Sequence, residues 1–393
     1  MPYSVKPARS RSTSAGGSLP CRMAPGVAVG LPDGDSPPCV DRTRDHIRIV
    51  APEEKREEAQ GEEVTRRHED RARKDTSGTE ASIRPSGRSE NAEEGYASLP
   101  GVRLFYRSMG RGEPVLFLHG GPGLPHGYLL PWMEPLARSH RLVFFDQRGV
   151  GRSDKPEHGS YGVADIAQDV DALRRSLRLG KVHLFGFSWG GALALEVAIR
   201  YPGSLRSLTV AEGFANTDDL NARLQAWLAN APPESRAVVE RCEREGLFTA
   251  DDRYPAEYDD AVGKIYRRNP ESPPGSKPPD TFAESIRNLS WDAYYAMWGR
   301  DGEFRITGTL AGWDALSRLS PLAVPVLLLV SRYGMWTMEE AEAVAKKVRD
   351  GRVVLFDHSG HLMFADEPDR FVQVMETFLG KAVPPRRPQE RTA

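Results

Sequence analysis

Cysteine is scarce in this chain. Cys21, Cys39 and Cys242 are the three among 393 residues, too few and too scattered for a disulfide framework or a zinc site. A reducing compartment fits, and the expected location is cytoplasmic. Long apolar runs are missing too. A membrane helix needs roughly 18 to 20 predominantly apolar residues, whereas the longest runs here are strand-sized, such as VPVLLLV (324–330). Nor does one sign of charge dominate. The 53 Lys and Arg against 55 Asp and Glu leave a formal −2, which suggests neither a nucleic-acid partner nor a pull toward an anionic membrane. The partner expected instead is a small-molecule or short-peptide substrate. Oligomeric state has no signature in the sequence.

Residues 1–95 also lack aromatic residues, with Tyr3 the single exception, and are rich in Ser, Arg, Pro, Gly and Glu. Such a stretch buries too little apolar surface to offset an ordering entropy of about 1–2 kcal/mol per residue. It is predicted to be a disordered extension. Its first 32 residues carry Arg and Lys but no Asp or Glu, a transit-peptide flavour, although Pro and Gly interrupt any amphipathic helix there. The alternatives are a dispensable extension or a start assigned too early. A disordered tail is expected over 384–393.

From about Tyr96 the pattern becomes alternating strands and helices. GVRLFYRSMG, PVLFLHG, RLVFFDQRG, KVHLFGF, LRSLTVAEG, VPVLLLV and GRVVLFDHSGH read as strands. HGYLLPWMEPLARSH, VADIAQDVDALRRSLR, WGGALALEVAIRYP, MEEAEAVAKKVRD and EPDRFVQVMETFL read as helices. In the second helix, Val163, Ile166, Val170, Leu173 and Leu177 fall at helical spacing. This alternation predicts an α/β fold, a doubly wound and mostly parallel sheet covered on both faces. The core is assigned to 96–212 and 312–383. Between them, 213–311 is helical in flavour, rich in Trp and Tyr, and broken by NPESPPGSKPPD. It reads as an inserted cap, with its aromatic residues mostly in the cap's own core and about two of them lining a pocket.

Three motifs carry chemistry. LFGFSWGGALAL places Ser188 between a strand and a helix, flanked by Gly186 and Gly190. This G-x-S-x-G is weak as a pattern alone and strong in that context, because a nucleophile on a sharp strand-to-helix turn needs small neighbours. The bland reading is a serine capping a helix. The helix starting at Trp189 aims N–H groups at a centre where negative charge would develop. FLHGGPG, either an ordinary turn or a loop exposing a backbone N–H, offers Gly121 beside Trp189 as the two donors of an oxyanion hole. No Gly-Lys-Ser/Thr follows, so it is not a phosphate loop. A Ser–His–acid enzyme on this fold places its histidine after the last strand. There VVLFDHSGHLMF offers His361, with His358 read as structural. No cofactor and no metal is expected.

From about 96 to 383 the chain resembles an α/β-hydrolase, and more narrowly the proline iminopeptidase family. The matching stretches are HGGPG (119–123), DQRGVGRSD (146–154), GFSWGG (186–191), MWGRDGEF (297–304), TGTLAGWD (307–314) and SGH (359–361). The resemblance implies Ser188 as nucleophile, His361 as base, and Gly121 and Trp189 as oxyanion donors. It also implies that Glu303, matching a cap glutamate, helps to hold the free amine of a peptide substrate. The competing reading of Glu303 is a salt bridge with a nearby arginine. Asp146 and Arg148 are read as braces for the loops around the serine.

The departure is the triad acid. The family pattern at the turn after VPVLLLV is like G-x-Y-D-E, whereas this chain reads Ser331-Arg332-Tyr333-Gly334-Met335. Haloalkane dehalogenases resemble a second arrangement, with the acid at the end of the preceding core strand, and Glu212 in LTVAEGF matches that place. A buried carboxylate there requires a partner, and the imidazolium of His361 would be one. The alternatives are that Glu212 binds a cap arginine or a backbone amide, that Glu339 or Glu340 reaches back, or that the acid is lost. The expected function is a cofactor-free serine hydrolase, proline iminopeptidase-like, acting through an acyl-enzyme on a small amide or peptide. The alternatives are an ester, lactone or amide hydrolase of a small apolar metabolite, and a catalytically silent binding protein.

Overall fold

The computed structural model describes residues 92–156, 160–247, 254–268 and 277–382. The expected extension up to residue 91, most of the Pro-rich break and the tail 384–393 lie outside the described residues.

The chain opens with an antiparallel hairpin, β1 (Glu93–Leu99) and β2 (Val102–Met109), paired in full register from Glu93 opposite Ser108 to Leu99 opposite Val102. Strand β1 thus begins inside the stretch assigned by composition to the extension. Strand β3 (Glu113–Leu118) leads to the segment read as one helix. It is instead broken into a 3₁₀ turn over 126–129, α1 (Leu130–Met133) and a second 3₁₀ turn over 134–138. Pro131 and Pro135 stand at the first turn of the latter two pieces. Neither can donate a backbone hydrogen bond, so each restarts the helix rather than continuing it.

There follow β4 (His140–Phe145), α2 (Val163–Ser176), β5 (Val182–Phe187), α3 (Trp189–Arg200) and β6 (Leu205–Ala211). Then come five consecutive helices: α4 (Thr217–Ala229), α5 (Pro233–Glu245), α6 (Ala256–Arg268), α7 (Asp280–Arg287) and α8 (Trp291–Met297). The chain returns to the sheet with β7 (Pro325–Tyr333), α9 (Met338–Lys347), β8 (Asp350–Gly360), α10 (Met363–Asp366) and α11 (Pro368–Ala382). The eight strands are ordered β1-β2-β4-β3-β5-β6-β7-β8. The pairs involving β2 are antiparallel and the other five are parallel.

Period-two alternation feeds two cores. Leu116, Leu118 and Leu184 turn to the face shared with Val170 and Leu173 of α2 and Leu193 of α3. Val115, Phe117, Phe185 and Phe187 turn to the opposite face, shared with Phe371, Met375 and Phe378 of α11. Burial on both faces explains why these strands read as continuous apolar runs. The loop returning from the helical insertion is pinned to the core through the buried Glu196. Burial opposes that carboxylate's charge, yet Arg318, the Trp313 indole N–H and Arg200 hold it down to about 2.

Candidate active site

Ser188 sits between β5 and α3 with φ 55° and ψ −125°, a strained conformation for a residue with a Cβ. The strain is held from both sides. The Ser188 N–H donates to the Ala211 carbonyl at 2.9 Å, and the Gly191 N–H donates to the Ser188 carbonyl at 2.8 Å. A Cβ at Gly186 would lie 2.1 Å from the Gly190 carbonyl oxygen, and one at Gly190 would lie 2.2 Å from that of Leu118. The helix packs so closely on the strand ends that both flanking positions exclude a side chain. Trp189 is the first residue of α3, and helix geometry leaves its N–H without a partner inside the helix.

The HGG loop is fixed from below. The Gln147 N–H donates to Nε2 of His119 at 3.0 Å, and Nδ1 of His119 lies 3.0 Å from the Gly120 carbonyl. Burial lowers the His119 pKa to about 4, which keeps the ring neutral and lets one nitrogen accept while the other donates. The Gly120 N–H donates to the Tyr128 hydroxyl at 2.7 Å. The buried indole N–H of Trp189 donates to Oε1 of Gln147 at 2.8 Å, tying the loop to the start of α3. Asp146 accepts from the His126 ring at 2.7 Å and from the Arg152 N–H at 2.9 Å. Burial opposes its ionisation, but His126 and the other donors hold the carboxyl down to about 2. Arg148 makes a two-pronged bond to Asp169 of α2, at 2.6 and 2.8 Å. Both residues of the DQRG stretch therefore brace loops, as their sequence context suggested.

Two strand ends bear on the acid question. Glu212 follows β6 in a left-handed conformation, φ 47°, and its side chain is fully buried. Oε1 accepts from the Ser331 N–H at 2.6 Å. Oε2 accepts from the Met335 N–H at 2.7 Å and lies 3.5 Å from Nδ1 of His361. Glu212 thus meets both backbone amides and the histidine. A Cβ added at Gly334 would lie 2.0 Å from Oε2 and 2.3 Å from Cδ of Glu212. The missing side chain at 334 leaves the space that the Glu212 carboxylate occupies. The other acids are elsewhere: Glu340 caps α9 and pairs with Arg223 of α4, and Glu339 is exposed. The exposed His358 stands away from the cavity, its N–H on Glu367. The ring of His361 packs against Phe187, 4.9 Å between centroids.

Ser188, Gly121, Glu212 and His361 line one cavity of about 330 Å³ beneath the helical insertion. Glu303 lines the same cavity. Its carboxylate accepts from the hydroxyl of Tyr266 at 2.7 Å and from that of Tyr294, and its own N–H is held by the Tyr258 oxygen at 2.8 Å. Burial raises its carboxyl to about 7, against the tyrosine hydrogen bonds, and nearby Asp259 and Glu243 push the same way. The side-chain bonds shown are to tyrosines, in place of the arginine considered from sequence. Seven insertion aromatics line the cavity, Phe214, Tyr254, Tyr266, Phe282, Trp291, Tyr294 and Trp298, rather than about two. Their number follows from a cavity lined by four of the insertion's helices, α4, α6, α7 and α8, which composition does not disclose. Sequence reading also passed over Asp259, which lines the cavity from α6. One acid among many on a polar helix carries no signal of the side it faces.

The sheet order, the serine at a strand-to-helix elbow and the histidine after the last strand define a class. Residues 113–368 match the family model of the alpha/beta hydrolase fold, and the chain belongs to that family. Within it the chain groups with the proline iminopeptidases. It is 30% identical over 302 residues to the proline iminopeptidase of Saccharolobus solfataricus, covering 76% of this chain and 95% of the relative. Among solved structures, it is similar to VinJ, with a TM-score of 0.67 and 28% identity, over 74% of this chain and 99% of VinJ. The proline iminopeptidase of Mycobacterium smegmatis gives a TM-score of 0.63 and 25% identity, over 74% of this chain and 98% of that one.

Proposed function

We propose that the protein is a serine hydrolase that removes an N-terminal residue bearing a free amine from a small amide, in the manner of a proline iminopeptidase. The observation that carries this reading is the shared cavity: Ser188, His361 and Glu212 line it together with the carboxylate of Glu303. Oγ of Ser188 attacks the carbonyl carbon, and His361 takes the hydroxyl proton. The resulting oxyanion is bound by the N–H groups of Gly121 and Trp189. Glu212, through Nδ1, holds the ring and stabilises its charged form. His361 then gives the proton to the leaving amine as the C–N bond breaks, and an acyl-enzyme remains. Water, deprotonated by the same ring, attacks the ester, and Ser188 is regenerated. Glu303, set among tyrosine hydroxyls, receives the substrate ammonium.

The test is a panel of prolyl and alanyl anilides, their N-acetylated forms and simple esters. Free-amine anilides should exceed the acetylated ones by at least about tenfold in kcat/KM. Ser188→Ala should abolish both turnover and labelling by a fluorophosphonate. Equal cleavage of acetylated and free anilides would overturn the amine requirement. Labelling that persists in Ser188→Ala would overturn the nucleophile.

A further inference from the structure

The cavity has an opening whose chemistry differs from its interior. Ile286 of α7 lines the cavity and is 47% exposed, one of two large hydrophobic side chains so exposed among the described residues. The other, Tyr96, lies on β1 and is absent from the cavity wall. An apolar side chain that is both cavity-lining and solvent-exposed stands at the mouth. Phe282, one turn earlier on the same helix, and Leu289 beyond its end line the cavity with it, as does Val262 of α6. Asp259 lines the cavity one turn before Val262 and is also exposed. The charged groups on the described wall are carboxylates and the histidine: Glu212, Asp259, Glu303 and His361.

These features sort substrates by their leaving group. A short peptide released from its first residue carries a carboxylate, and on this wall it would meet Asp259 and an apolar rim. An alkyl or aryl group would instead cover Ile286, Phe282 and Leu289 and remove their surface from water. We infer that the natural leaving group is an apolar, uncharged amine or alcohol, so that the substrates are aminoacyl amides or esters of lipophilic compounds rather than peptides with free carboxyl ends. This rests on the aminopeptidase reading above, because it takes the amine-bearing residue to lie inside and the leaving group at the mouth.

With one aminoacyl group throughout, kcat/KM is measured on linear alkylamides from ethyl to octyl, on a dipeptide, and on that dipeptide's C-terminal amide. In the native protein, kcat/KM should rise about threefold per methylene until the rim is covered, and the dipeptide should trail its amide by about tenfold. Ile286→Asp should flatten the alkyl series, and Asp259→Asn should narrow the gap between dipeptide and amide. A flat alkyl series, or a dipeptide cleaved as well as its amide, overturns the inference. A uniform fall across the series in Ile286→Asp, with unchanged slope, does so too. N-acetylated members of the series separate the two claims. If they are cleaved as fast as free-amine members, the amine requirement fails, while slope and gap still report on the mouth.

Discussion

A carboxylate at the end of a buried parallel strand needs donors, and Glu212 has the amides of Ser331 and Met335, with Nδ1 of His361 3.5 Å away. The two amides bond different oxygens, so a carboxamide keeps the shape of the group and one of these bonds, while its NH2 faces the other N–H and leaves it without an acceptor. Glu212→Gln is therefore expected to lower kcat by about 10³- to 10⁴-fold, the scale for neutralising a triad acid, and to lower the melting temperature by several degrees, since a buried N–H without an acceptor costs about 1–3 kcal/mol. Matched stopped-time assays and thermal melts would show this. Unaltered kcat would mean that His361 takes its orientation from elsewhere. Glu303 gives a second expectation at the same scale. Its carboxyl is raised to about 7 by burial, so the anion, to which the proposed function assigns the substrate ammonium, is present above that pH and lost below it. KM for a free-amine anilide should fall as pH rises from about 5.5 to about 7.5, a range over which most α-amines stay protonated. Glu303→Gln should remove that trend and raise KM at the upper end. A KM equally pH-dependent in Glu303→Gln would assign the titration to another group.

Among the elements, the ends of β3, β5, β6, β7 and β8 bring the candidate residues together, and small residues set how closely they meet. The Gly190 position is packed 2.2 Å from a carbonyl oxygen that cannot move without the sheet. Gly190→Ala should cost about 1–3 kcal/mol or more, readable as a lower denaturation midpoint. At Gly334 the obstacle is the Glu212 carboxylate itself. Gly334→Ala should destabilise the native protein by a similar amount and lower kcat. In a Glu212→Ala background, where the space has been vacated, the same substitution should cost far less. A double-mutant cycle in denaturant measures the coupling directly, and additive costs would show that the two positions do not compete for one space. The expected end of β7 was Val330, where the apolar run stops, but the strand continues to Tyr333 with a bulge at Ser331 and Tyr333. Pairing with β8 continues where apolar side chains do not, because ladder hydrogen bonds do not depend on hydropathy.

For the whole molecule, the described sheet begins at β1, whose seven residues pair in register with β2. Removing residues 1–91 should leave the melting temperature and kcat/KM within error, since the described lining of the cavity and its described supports are later in the chain. Removing residues 1–99 deletes the edge strand β1 and leaves β2 at the edge of the sheet, which should lower the melting temperature by several degrees, about 4 °C or more per kcal/mol lost in a small domain and somewhat less in one of this size. Thermal melts of the two truncations make the comparison. Local sequence determined much of this protein. Periodicity two and 3.6 placed the central strands and helices, and the contiguous runs around Ser188 and His361 placed those residues at strand ends, because each such signal lies within one element and its turn. Only the tertiary structure decided the rest. The meeting of Glu212 with the gap at Gly334, the tyrosines around Glu303 and the cavity lined by both Asp259 and Ile286 join residues from separate elements, some more than a hundred positions apart. Their proximity comes from strand order and helix packing, and no local pattern encodes it.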